Sequence, residues 1–154
     1  MAKNSGQRDI VPLSAPYYGA SLPVAVARFW CKYATFSGRA SRSEFWWWEL
    51  VALIFGGALL AIYIPSLLDG ITGGAGIRIN PGIIIAMVLG GIWFLATIVP
   101  SIALTWRRLH DANFEGLYWL LVLIPYVGGL IILGLTMLPS NPAGEKFDSL
   151  SLTD

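Results

Sequence analysis

The sequence predicts an all-α integral membrane protein, with three transmembrane helices preceded by a short interfacial amphipathic helix. Three observations carry that prediction. Of 154 residues, 56% are hydrophobic and only 12% charged, against about a quarter charged in soluble domains. Three long stretches, about 45–68, 81–106 and 117–138, hold a single charged residue between them, Glu49. Each is long enough, at about 1.5 Å per residue, to approach or cross a hydrocarbon core of about 30 Å. The lysines and arginines, finally, gather beside particular ends of these stretches.

Residues 1–21 are rich in Gly, Ser and Pro and lack the apolar run of a secretory signal, so they are expected to form a retained, mobile N-terminal tail. Residues 22–140 form the expected membrane domain. Its first element, 22–36, places Val26, Phe29, Trp30 and Tyr33 at helical spacing, with Arg28 and Lys32 four apart on another face. That pattern fits a helix lying in the interface, apolar side down and cations toward headgroups, and nearly as well a short helix packed on the protein.

Ser41 followed three residues later by Glu44 is a capping box that starts the first long helix near Arg42. Asp69 to Asn80 reads as a glycine-rich loop closed by Asn80-Pro81, an N-cap followed by proline at the first helical position. The second span carries Pro100, where a kink is expected. A hydrophilic hinge, Trp106 to Asn113, holds the only histidine. The third span, 117–138, contains Pro125 and ends before Pro139, and 141–154 is a short polar tail. Glycine pairs at Gly56-Gly57, Gly90-Gly91 and Gly128-Gly129 are expected to let helix backbones approach.

Lys3, Arg8, Arg28, Lys32, Arg39 and Arg42 precede the first span and Arg107 and Arg108 follow the second, whereas Arg78 alone lies in the loop and Lys146 alone in the tail. The positive-inside rule then puts the N-terminus and the hinge in the cytoplasm and the loop and C-terminus outside. A net charge of +1 offers nothing to nucleic acid. One cysteine and one histidine make no zinc site, and no cofactor or metal is expected.

This topology brings Arg39, Arg42, Glu44 and Glu49 to the same membrane face as Arg107, Arg108, His110 and Asp111. Glu49 lies one to two turns inside a helix entering the bilayer, where an unpaired carboxylate is costly, so Arg107 or Arg108 is its expected partner. Three readings of the cluster stay open. It can be an ion-pair lock between helices, a site for anionic headgroups or phosphate, or a catalytic site using His110 as acid or base. No nucleophile accompanies the histidine, so no enzyme is expected. The leading reading is a non-enzymatic module that binds anionic lipid, a second copy or a membrane-protein partner. A small oligomeric transporter, channel or lipid-handling component is the alternative, and a lipid-modifying enzyme the third.

The run Phe36-Ser37-Gly38-Arg39-Ala40-Ser41-Arg42-Ser43-Glu44-Phe45-Trp46, followed after two spans by Arg107-Arg108-Leu109-His110-Asp111 and then Ile124-Pro125-x-x-Gly128-Gly129, resembles the bacterial inner-membrane family called domain of unknown function 805, the YhaH-like proteins. The resemblance covers about Phe29 to Phe147 and implies a multi-pass inner-membrane protein without an assigned activity. Its signature residues fall on Gly38, Arg39, Arg42, Glu44, Arg107, Arg108, His110 and Asp111. Asp148 stands where the family pattern has glycine, and the basic N-terminal tail and long glycine-rich loop look like additions.

Overall fold

A computed structural model of the chain describes residues 11–72 and 80–148. The expected mobile tail before residue 11, the centre of the glycine-rich loop at 73–79 and the last six residues lie outside them. Among the described residues every regular element is helical: α1 (Leu22–Cys31), α2 (Arg42–Thr72), α3 (Pro81–Asp111), a 3-10 helix (Gly116–Leu123), α4 (Gly128–Met137) and a second 3-10 helix (Pro142–Phe147). Both α2 and α3 are long and apolar enough to cross a membrane.

The predicted starts of both long helices hold. Ser41 Oγ accepts from Glu44 N at 3.2 Å while Glu44 Oε2 accepts from Ser41 N at 2.9 Å, closing the capping box. Asn80 Oδ1 accepts from Ile83 N at 3.2 Å, and its amide donates to Ser66 O across to α2 at 2.9 Å. Helix α2 runs four residues past the expected span, taking Asp69 out of the loop. The hydrophilic hinge is mostly the last turn of α3, and the chain turns at Asn113, which has a φ of 66°.

Helix α1 is shorter than expected and oriented differently. It buries Ala25, Arg28 and Phe29, with Lys32 next on the same face, so the cations point into the protein while Trp30, Tyr33 and Phe36 are exposed. The cause is local chemistry. Phe29 stacks on Trp48 with ring centroids 3.3 Å apart, and Arg28 meets the buried Glu44. Those rings, with Ala40, Phe45 and Leu104, make the core where α1, α2 and α3 meet.

The expected third span is not one helix. Ile124 is extended, with ψ 113°, as a residue preceding proline is driven to be, and Tyr126 at φ 66° completes a turn before α4. A Cβ on Gly128 would overlap the Leu121 carbonyl, so the two arms lie backbone to backbone as a hairpin. Of the three glycine pairs only Gly128 serves so close an approach, since Gly56, Gly57, Gly91 and Gly129 face open space. The hairpin returns to where it began. Ser140 Oγ donates to Asp111, Asn141 N to Asp111 O at 2.7 Å, and Gly38 N to Phe147 O at 2.9 Å. The segment 140–148 therefore packs at the end of the molecule that holds α1, not at the opposite end expected of three crossings.

Candidate functional site

All eight predicted site residues lie at one end of the α2–α3 pair, but their partners differ from those the sequence suggests. The centre of one group is Asp111, 0% exposed. Its Oδ2 accepts from Arg108 Nη1 at 2.7 Å and from Ser140, and its Oδ1 accepts from the Tyr18 hydroxyl at 2.9 Å. Arg108 also donates Nε to Thr136 O at 3.0 Å and Nη2 to Leu138 O, so every guanidinium nitrogen has an acceptor. Asp111 and Arg108 thus tie together α3, the end of α4 and the N-terminal segment.

A second group surrounds Glu44. Arg28 Nε donates to its Oε1, and the backbone N–H groups of Ser41 and Tyr17 donate to Oε2. Arg28 then reaches the carbonyls of Val11, Pro12 and Ala15, holding the segment ahead of α1 in place. Arg107 lies within the same field of charges, but its Nε donates to Ala103 O in its own helix at 3.1 Å. Lys32 is the fourth member. Sequence reasoning left Arg28 and Lys32 out of the site because it turned them toward headgroups; their i, i+4 spacing beside Phe29 was the available signal.

The remaining predicted residues divide. Arg39 forms a fork onto Asp148, with Nε at 3.0 Å and Nη2 at 2.7 Å from its carboxylate oxygens, and that hydrogen-bonded carboxylate raises the guanidinium pKa. Arg42 is exposed and in no ion pair among the described residues. Glu49 does not pair with Arg107 or Arg108. It is half-buried, in no ion pair among the described residues, and lines a groove of about 250 Å³ with Trp46, Thr105, Trp119 and Thr136. The reason is that Glu44, at the mouth of α2, lies nearer the cations than a residue one turn deeper.

His110 and Asp111 do not bond to each other. His110 Nδ1 lies 3.0 Å from Gly38 O, which can only accept, so Nδ1 carries the proton. Its ring stacks on Phe147 with centroids 4.1 Å apart. A Cβ on Gly144 would overlap His110 O, so glycine is what lets the C-terminal segment lie over the histidine. The histidine serves as a joint between α3, the turn before α2 and the C-terminal segment.

The family described as "Protein of unknown function (DUF805)" matches residues 33–149. Inner membrane protein YhaH of Escherichia coli (strain K12) is 34% identical over 115 residues, 75% of this chain and 85% of that protein. Inner membrane protein YhaI of the same strain is 34% identical over 101 residues, 66% of this chain and 72% of that protein. No solved structure matches.

Proposed function

The chain belongs to the DUF805 family, and from that premise we propose a non-enzymatic inner-membrane module. In this reading α2 and α3 cross the bilayer, and the polar end faces the cytoplasm and binds an anionic headgroup or a protein partner. One observation carries it: charge is segregated. The ion pairs Arg28–Glu44, Arg108–Asp111 and Arg39–Asp148 all lie at one end, while α2 and α3 beyond it expose Leu53, Ile54, Ile92 and Leu95. Histidine and aspartate, the residues available for acid–base work, are engaged in holding elements together.

The hairpin 116–138 is re-entrant in this reading. Its arms, eight residues of 3-10 helix and ten of α-helix, reach about 15 Å, half of a core of about 30 Å. Both termini are then cytoplasmic, and Lys146 joins the other cations on that side, in keeping with the positive-inside rule. A C-terminal fluorescent-protein fusion is expected to glow and an alkaline-phosphatase fusion to be inactive; an active phosphatase overturns the topology. Native mass spectrometry of protein released from its own membrane in nanodiscs is expected to retain anionic lipid or a protein partner. Bare monomers alone overturn the function.

The alternative, an oligomeric transporter or channel, draws on one observation. The Glu49 carboxylate in its groove joins no ion pair among the described residues, and in this reading it is an acid at membrane depth. Flux into liposomes that Glu49→Gln abolishes would favour it.

A further inference from the structure

Where α1 ends against the last turns of α3, buried cations outnumber, among the described residues, the carboxylates that could balance them. Arg28, Lys32 and Arg107 are 6%, 4% and 1% exposed, and the one acid among them is Glu44. Glu44 is already held by Arg28 and two backbone N–H groups, and the next acid, Asp148, is held by Arg39. Arg107 Nη2 is buried and has no hydrogen-bond partner among the described residues. The Lys32 ammonium joins no ion pair among the described residues. A buried cation left without a counter-charge is costly, and two at the meeting of α1 and α3, with Arg107 within electrostatic reach of Lys32, call for an anion.

We propose that Lys32 and Arg107 form a phosphate-binding site, with Arg28 behind them holding Glu44 out of the way. The pair suits that chemistry, since a guanidinium edge offers directed donors to phosphate oxygens and an ammonium adds a compact charge. Trp30, Tyr33 and Phe36 stand exposed around Lys32, and such aromatic side chains favour the headgroup level of a bilayer. A lipid phosphodiester and a free phosphate present the same oxygens. The inference rests on the reading that the polar end meets the cytoplasmic leaflet, and narrows it to two side chains. One of them, Lys32, lies one residue before those that match the family, and the other, Arg107, lies within them.

The electrostatics of the pair agree. Burial pushes the Lys32 ammonium down to about 8, with Arg28 and Arg107 acting in the same direction and Glu44 and Asp148 opposing. A phosphate between Lys32 and Arg107 restores the charge, so binding takes up a proton above that pH. Affinity is then expected to fall as pH rises beyond about 8, by up to about tenfold per unit.

The test uses the full chain in nanodiscs of phosphatidylcholine alone, of phosphatidylcholine with phosphatidylglycerol, and of phosphatidylcholine with added inorganic phosphate. Melting temperature and bound lipid are read for wild type, Arg107→Gln and Lys32→Met. Lys32→Met keeps most of the stem while removing the charge, which guards against a variant that fails to fold. Wild type is expected to be stabilised by phosphatidylglycerol if a headgroup is the ligand, or by inorganic phosphate if a free anion is. Lys32→Met is expected to bind about 10- to 100-fold more weakly, the worth of one charge-assisted hydrogen bond. Anionic lipid bound equally by wild type and Lys32→Met overturns the site but leaves the proposed module standing. A wild type that responds to neither ligand overturns the site and the headgroup reading together, leaving only the protein-partner form of the module.

Discussion

Two charge networks lie side by side at the polar end, built from the same residue types and balanced differently. Around Asp111, one carboxylate receives an arginine, a tyrosine and a serine, and the arginine's remaining donors end on carbonyls. Around Glu44, one carboxylate faces three cations, and Arg107 Nη2 has no acceptor among the described residues. A saturated network can only hold structure, since a ligand would have to break it; an unsaturated one has capacity left. The neighbours Arg107 and Arg108 thus separate into different roles because a helix turns about 100° per residue.

The largest expected effect lies on the saturated side. Asp111→Asn strips the counter-charge from a fully buried arginine, and breaking such a pair costs about 3–5 kcal/mol. Thermal unfolding in detergent is expected to show it. A variant as stable as wild type would erase the distinction between the networks. Gly128→Ala comes next, because its methyl would overlap the Leu121 carbonyl and force the hairpin arms apart; overpacking of this kind costs about 1–3 kcal/mol. If its melting temperature is unchanged, the hairpin is not as closely packed as described.

On the unsaturated side the sign reverses. Lys32→Met removes a buried charge that joins no ion pair among the described residues, so in anion-free, zwitterionic surroundings it is expected to raise stability by about 1 kcal/mol. The unfolded lysine holds its proton up to about 10.5 and the folded one only to about 8. Between those values the unfolded chain binds more protons, and wild-type stability rises with pH across that window. Lys32→Met is expected to lack the rise, which chemical denaturation at pH 7.5 and pH 10 would read. Destabilisation by Lys32→Met at pH 7.5 would mean that the ammonium has a partner. The smallest effect belongs to Arg39→Ala. Its partner Asp148 keeps about a third of its side chain in water, so the loss should stay within about 1 kcal/mol and shrink in high salt.

The elements legible in the sequence are those with local causes. Ser41 and Glu44 close their box within one turn, and Asn80 caps α3 next to Pro81, so both helix starts follow from residues a few positions apart. Pro125 was visible too, but apolar length argued for continuity there. Whether a chain turns at a proline depends on what receives the returning arm, and that is Gly128 against Leu121 and Ser140 against Asp111. The face of α1 was not legible, because tertiary partners divide its apolar residues: Phe29 turns in against Trp48 while Trp30 and Tyr33 stay exposed, and Arg28 turns in toward Glu44.

By itself, then, the sequence determined two long apolar helices, their starts, and that the charged residues flanking them, from Arg39 to Glu49 and from Arg107 to Asp111, gather at one end. These follow from hydrophobic length and short-range capping, both of which act along the chain. Only the tertiary structure decided that Glu44 and not Glu49 takes the arginine, that Arg108 closes on Asp111 while Arg107 stays open, and that the C-terminal segment returns to Gly38 and Arg39. Those outcomes depend on which elements meet in space, and charge pairing is settled there, by distance and by the exclusion of water.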